Sequence, residues 1–166
     1  MPRVIPCGTR RNAYEDFRGA LQIAEPDHFI ILLVDSEGPV AAQNPWDYLS
    51  FREGDQWEKP ANSTADNAHL MVQCMEAWFL ADQETLENFY GQGFHANSLP
   101  RNPALENIPK QDILDGLKNA TRNTRKEIYS KGRHSFAILG LIDPMRVADK
   151  SPNAKRLFIF LDRLTS

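Results

Sequence analysis

The feature that most constrains the fold is an unbroken apolar run from Phe29 to Val34, which is stopped by Gly38-Pro39. The run is rich in β-branched and aromatic residues, is too short for a buried helix and does not alternate as a half-exposed strand does. This pattern predicts a central strand covered on both faces, as in a mostly parallel sheet flanked by helices. The 166 residues fit one domain with enough apolar content for a core. We therefore expect an α/β fold, with a helical C-terminal half, in a single domain over residues 1–166.

Two acidic residues, Asp35 and Glu37, follow this strand with one serine between them. In open α/β sheets, ligands bind beyond the carboxyl ends of the strands. Two carboxylates placed there repel each other and lose solvent, which is costly unless a cation or hydrogen bonds compensate. A hard divalent cation such as Mg²⁺ or Mn²⁺ would compensate them. The alternative is an ordinary turn, since Asp, Ser and Gly are turn formers, and the short D-x-E motif alone favours that turn.

A second strand is predicted over His69–Cys74, and it runs directly into a helix predicted over Met75–Tyr90. Glu76 falls at the junction, which aims it at the same edge of the sheet as Asp35. It has two interpretations of equal weight, a metal ligand or a partner of the free backbone amides at the helix start. Asp82 lies nearly two turns further on, and a solvated helix residue is the favoured interpretation there.

The chain before Phe29 predicts a strand over Arg3–Cys7 and then a helix, which together with the apolar run make a βαβ unit. Arg10 and Arg11 would then lie in the loop at the edge that carries the acidic pair, where they would hold a phosphate backbone. The alternative is a pair of solvated loop arginines.

Further basic residues accompany a long helix predicted from Gln111 to about Ser130 and the loop predicted over Lys131–Ser135. Their spacings of three and four are typical of either a phosphate-backbone footprint or a solvated helix face. In the loop, Gly132 permits close backbone approach and its neighbours supply donors. The candidate nucleic-acid-binding residues are Arg10, Arg11, Arg125, Lys131, Arg133 and His134.

Composition argues against several classes of protein. The net charge of −3 argues against a general polyanion binder, although it leaves room for a local basic face. Cys7 and Cys74 are too few for a disulfide framework, so free thiols in a reducing cytosol are expected. No apolar run approaches membrane-spanning length and no signal segment is evident, which predicts a soluble cytoplasmic protein with no membrane partner. The aromatic stretch within 39–66 is predicted mainly to pack on the sheet edge, and base stacking is the alternative.

Several of these stretches together resemble the DUF4276 family of bacterial proteins, which is related to the TOPRIM-like nuclease fold. The resembling segments are 32–40, 69–82, 131–136, 142–144 and 151–156. The resemblance implies a TOPRIM-like α/β domain with Mg²⁺-dependent phosphodiester chemistry. Asp35 and Glu37 match the family's metal-binding acidic pair, and Glu76 matches its further acidic residue. It also implies a nucleic-acid substrate and a partner that is an ABC- or SMC-like ATPase in phage-defence loci.

One departure from the TOPRIM-like pattern separates two hypotheses. Such domains usually begin with a strand ending in a Glu-Gly turn, and this chain starts at Met1-Pro-Arg-Val, after the place where that strand would stand. The first hypothesis is a Mg²⁺-dependent nuclease acting on DNA or RNA, with Asp35, Glu37 and Glu76 holding the metal. The second is a catalytically incomplete interaction subunit of an ATPase-containing defence complex, which would use the aromatic segment 46–57 as a docking surface.

Overall fold

The computed structural model describes residues 3–166 and has a mixed α/β structure in which 53% of residues are helical. Its strands are β1 (Leu32–Asp35) and β2 (Ala68–Met71), and its α-helices are α1 (Arg10–Ile23), α2 (Pro45–Phe51), α3 (Gln83–Tyr90), α4 (Lys110–Thr121), α5 (Lys131–Leu139), α6 (Pro144–Lys150) and α7 (Pro152–Thr165). Short 3₁₀ helices cover Ala65–Asn67, Met75–Ala81, Ala96–Ser98 and Leu105–Asn107.

The chain divides into two compact units, and each is assembled from separate segments. The first contains the described residues up to Val34 together with Val40–Leu70 and Ile159–Ser166. The second contains Asp35–Pro39 and Met71–Phe158. All three acidic residues of the predicted metal site therefore belong to the second unit.

The two strands pair in parallel, and the described residues form no larger sheet. Leu32 and Val34 are buried, but Leu33 between them is 38% exposed, so only alternate side chains of β1 are buried. The prediction of a central strand covered on both faces is therefore wrong. Each strand of a two-stranded sheet has an open edge. Phe29, in the early part of the apolar run, precedes β1, and its ring packs on the ring of Phe160 with a centroid separation of 5.0 Å.

The strand predicted over Arg3–Cys7 is absent, because that segment has no regular structure and exposes Val4 and Ile5. With no first strand, the βαβ unit predicted from it is also wrong. The following helix is confirmed: Thr9 caps α1, and its side chain accepts a hydrogen bond from the Asn12 amide. Arg10 and Arg11 consequently lie in the first turn of a helix rather than in a loop beside a strand end.

Aromatic residues of the segment 39–66 pack inside the first unit. Trp46 and Trp57 are buried, and Tyr14 stacks on Trp57 with a centroid separation of 4.6 Å. The Trp46 indole donates to the Thr64 carbonyl at 2.8 Å. Packing is thereby confirmed for the two tryptophans, and their ring contacts are with helix α1, while packing on the sheet edge stays a prediction. Phe51 at the end of α2 is 87% exposed.

The second unit is built around the 3₁₀ helix Met75–Ala81, whose seven residues are all buried. Helices α3, α4, α5 and α6 all contact it. The single helix predicted over Met75–Tyr90 is wrong, because Asp82 leaves the helical conformation and caps α3 by accepting from the Thr85 amide. The buried apolar side chains of this unit include Val72, Phe79, Leu86, Ile113, Leu117, Ile138 and Val147.

The basic region after α4 also differs from its prediction. Helix α4 ends at Thr121, whose hydroxyl donates to Leu117 and accepts the Tyr129 amide at 2.7 Å. This folds the chain back through turns instead of extending the helix to Ser130. Helix α5 then starts at Lys131, so the loop predicted over Lys131–Ser135 is wrong. The last two helices, α6 and α7, each begin at a proline, which suits the first helical turn.

Candidate active site

Asp35 is the last residue of β1 and lies at the start of the buried 3₁₀ helix Met75–Ala81. Its Oδ1 accepts a hydrogen bond from the Met75 amide at 2.8 Å. Burial raises the pKa of the Asp35 carboxyl above its ordinary value, Lys131 opposes the rise, and Glu76 adds to it. The charged form of Asp35 is therefore destabilised at this position unless a cation lies nearby.

Glu76 is 1% exposed and lies one residue beyond Met75. Its Oε1 accepts a hydrogen bond from the Tyr129 hydroxyl at 2.9 Å, while its Oε2 has no hydrogen-bond partner in the described part of the chain. A buried carboxylate with one unpartnered oxygen is unusual, because such groups normally satisfy their hydrogen bonds.

Burial and the nearby carboxylates of Glu76 and Asp35 raise the pKa of the Cys74 thiol to about 12, so this cysteine stays protonated.

One ammonium group joins the two acids. The Lys131 Nζ lies 3.4 Å from Asp35 Oδ2 and 3.6 Å from Glu76 Oε1. Burial alone would lower the pKa of Lys131, but the two carboxylates raise it above its ordinary value, so the ammonium is charged at neutral pH. Asp35 and Glu76 thus face the same position, which the Lys131 ammonium occupies.

Glu37 pairs with a different lysine from the one that joins Asp35 and Glu76. Its carboxylate forms an ion pair with Lys110, the first residue of α4. Glu37 and Gln73 both adopt positive φ angles, 64° and 67°, which non-glycine residues rarely do. The Glu37 amide donates to the Gln73 carbonyl at 3.0 Å, and the Gln73 amide donates to the Ser36 hydroxyl at 2.7 Å. Each strand is thus followed, two positions beyond its end, by a residue in the left-handed conformation.

Gln73 also fixes the start of α4, a role that sequence reasoning missed. Its side-chain oxygen accepts from the Lys110 amide at 3.3 Å, and its side-chain nitrogen donates to the Glu106 carbonyl at 3.2 Å. The end of β2 is thereby connected to the helix that supplies Lys110. No sequence signal marks this residue, because glutamine after a strand has many uses.

A cleft of about 340 Å³ lies beside these residues. Its lining consists of Glu76, Lys110, Leu114, Lys118, Tyr129, Ser130 and Lys131. Three ammonium groups face one carboxylate, so the cleft suits an anionic ligand. Lys131 was predicted as a binding residue and Lys118 as part of the basic face of the long helix, whereas Lys110 was missed. The spacing of four between Lys110, Leu114 and Lys118 places them on one face of α4 and is the signal that would have found Lys110.

The three predicted acidic residues are only partly brought together. Asp35 and Glu76 share Lys131, whereas Glu37 is directed to Lys110. Across residues 3–166, the one group of three metal-ligand side chains within 4.8 Å of one another is the exposed set Glu25, Asp27 and His28. The compact part of the predicted metal site is therefore the pair Asp35 and Glu76.

The predicted nucleic-acid-binding residues are dispersed. In the first unit, Arg10 forms an ion pair with Asp55, and Arg11 is exposed. In the second unit, Arg125 is exposed and Arg133 forms an ion pair with Glu127. Lys131 is the member of the predicted set that lines the cleft.

His134 lies in the core of the second unit and not in an exposed loop. It is 5% exposed, its Nδ1 accepts from the Ser130 amide at 3.3 Å, and the Tyr90 hydroxyl lies equally close. Burial and the neighbouring Arg133 lower the pKa of His134, which keeps the ring neutral at pH 7. Its placement gives it no surface from which to contact a phosphate backbone.

Comparison with known proteins adds one finding to this geometry. Residues 4–162 match the family described as "Domain of unknown function (DUF4276)". The chain belongs to the DUF4276 family. In this DUF4276 protein the match spans both compact units and every residue of the candidate site. No curated protein and no solved structure matches the chain significantly. Among the described residues, no helix has both the length and the apolarity to cross a bilayer.

Proposed function

We propose that this protein is a divalent-metal-dependent nuclease with a TOPRIM-like fold, hydrolysing phosphodiester bonds of DNA or RNA. One observation carries the proposal: the buried carboxylate of Glu76, with an unpartnered oxygen, faces the same ammonium as Asp35 at the base of a lysine-lined cleft. The cost of burying such a group is understandable if it holds a ligand. A bacterial defence role alongside an ABC- or SMC-like ATPase is part of the same proposal.

The donor set fits Mg²⁺ or Mn²⁺. Asp35 and Glu76 are oxygen ligands of the kind that hard cations prefer, and one oxygen of Glu76 still lacks a partner. Glu37 would join them by releasing Lys110. When bound, such a cation polarises a phosphoryl oxygen and lowers the pKa of a bound water.

The chain's own residues would orient the substrate and the acids. Lys110 and Lys118 line the cleft and would bind the phosphate groups of the strand. The Tyr129 hydroxyl donates to Oε1 of Glu76, which leaves Oε2 of Glu76 available. Gln73 keeps Lys110 in register with Glu37. Acidic ligands and basic phosphate contacts would then lie within one small volume.

The test is cleavage of labelled single- and double-stranded DNA and RNA by the purified chain, with Mg²⁺ or Mn²⁺ and with chelator. We expect cation-dependent cleavage that falls by about 100-fold or more in Asp35→Asn and in Glu76→Gln, because each removes a charged ligand. The matched control is Glu84→Gln, which alters a carboxylate that is 67% exposed on α3 and should retain full activity.

Two outcomes would contradict the proposal. Cleavage that survives in Asp35→Asn would rule out this site as its origin. The absence of cation-dependent cleavage of all four substrates by the folded chain would favour the catalytically incomplete subunit.

A further inference from the structure

We infer that Lys131 is an exchangeable counter-cation: its ammonium neutralises Asp35 and Glu76 until a divalent cation displaces it into the cleft. This inference rests on the proposed function and concerns how that site is regulated. It makes cation binding and anion binding interdependent events at a single residue.

The contacts of Lys131 are those of a substitute cation. Its Nζ is 3.4 Å from Asp35 and 3.6 Å from Glu76, which are ion-pair distances rather than short hydrogen bonds. One positive charge faces two negative ones, and Glu76 Oε2 still lacks a partner. A divalent cation would match the charge of the pair and supply the missing partner for that oxygen.

Lys131 is also placed to leave. It is the first residue of α5, and its side chain is 59% exposed, whereas those of Asp35 and Glu76 are 12% and 1% exposed. The acids are thus fixed in the interior while the ammonium sits at the end of a flexible side chain.

The released ammonium would remain useful, because Lys131 lines the same cleft as Lys110 and Lys118. Freed from the carboxylates, it would add a third positive charge for an anionic ligand there. Cation binding should therefore strengthen phosphate binding, and by linkage an anion in the cleft should strengthen cation binding.

The first experiment is titration of the full chain with Mn²⁺, followed by electron paramagnetic resonance of the free ion. Lys131→Met keeps the length of the side chain but removes the competing charge, so we expect it to bind Mn²⁺ at least about tenfold more tightly than wild type. The matched control is Lys118→Met, which removes a charge from the same cleft without touching either acid, and its affinity should change by less than about threefold.

The second experiment keeps the native protein, so it does not depend on the variant folding. Amine-reactive labelling read by mass spectrometry should modify Lys131 faster when Mn²⁺ is added, while Lys118 should react at an unchanged rate. Saturating Mn²⁺ should also raise the melting temperature of Lys131→Met more than that of wild type.

The outcomes separate the two claims. Equal Mn²⁺ affinity in wild type and Lys131→Met, or Lys131 labelling unaffected by Mn²⁺ that binds, would overturn the exchange and leave the nuclease proposal standing. Failure of Mn²⁺ to bind either protein would overturn both.

Discussion

Two carboxylates on one stretch of chain, Glu76 and Asp82, are buried to nearly the same extent and have opposite surroundings. They are 1% and 2% exposed and are six positions apart. The two carboxylate oxygens of Asp82 accept from four donors, whereas Glu76 has the Tyr129 hydroxyl, a shared ammonium and one unpartnered oxygen. Burial alone therefore does not distinguish a structural carboxylate from a candidate metal ligand. The two carboxylates differ in how completely the fold satisfies their hydrogen bonds.

Asp82 shows what a structural carboxylate requires. Its Oδ1 accepts from the Thr85 amide at 3.3 Å and from Arg146 at 2.7 Å. Its Oδ2 accepts from the Thr85 hydroxyl at 2.8 Å and from the Asp143 amide at 2.9 Å. Burial would raise the pKa of Asp82, but these hydrogen bonds and Arg146 together lower it below the ordinary value. The interpretation of Asp82 as a solvated helix residue is therefore wrong, since it connects the start of α3 to the start of α6.

The largest expected effect on stability comes from Asp82→Ala. This change removes the cap of α3 and leaves the Asp143 amide without its acceptor, so it should lower the free energy of unfolding by about 2–4 kcal/mol. Urea denaturation measures this directly. The control is Glu84→Ala, which removes an exposed carboxylate partner of Arg146 and should cost less than about 0.5 kcal/mol. An equal loss in both variants would show that Asp82 is not the structural acid.

Glu76→Gln should have a much smaller effect on stability. Glutamine can still accept the Tyr129 hydroxyl, and the change removes a buried charge that lacks full compensation, so the free energy of unfolding should shift by no more than about 1 kcal/mol in either direction. The same urea denaturation, run beside Asp82→Ala, provides the comparison. A loss as large as that of Asp82→Ala would mean that Glu76 is structural and would erase the contrast.

The smallest effect is a pH trend of opposite sign in two aspartates. The pKa of Asp82 is lowered on folding, so its contribution is present above the unfolded pKa and is lost as the pH falls through the folded pKa. The stability advantage of wild type over Asp82→Asn should therefore shrink on acidification. The pKa of Asp35 is raised, so wild type loses stability relative to Asp35→Asn as the pH rises from the ordinary value through the folded one. Melting curves at closely spaced pH values would show this, and parallel trends would contradict it.

Some of this was predictable from the sequence. The apolar run located β1 and set Asp35 at its end, and the strand-to-helix junction located Glu76 near it. Mixed α/β structure and helix α1 were likewise predicted from local signals that depend on a few neighbouring residues.

The remainder depends on partners remote in the chain. An apolar run indicates that its side chains are buried. It does not indicate how many strands pair with the strand that it forms, so the two-stranded sheet was missed. The distinction between Glu76 and Asp82 depends on Tyr129, Asp143 and Arg146, which lie more than 50 positions later. Lys110 was missed because its pairing with Glu37 spans 73 positions.

The most direct test of the central claim is a crystal of the protein soaked in Mn²⁺, with anomalous data collected at the manganese edge. We expect an anomalous peak coordinated by Asp35 and by Glu76 through Oε2, with the Lys131 ammonium moved into the cleft. A fully soaked crystal with no peak there, and with Lys131 still joining the two carboxylates, would contradict it.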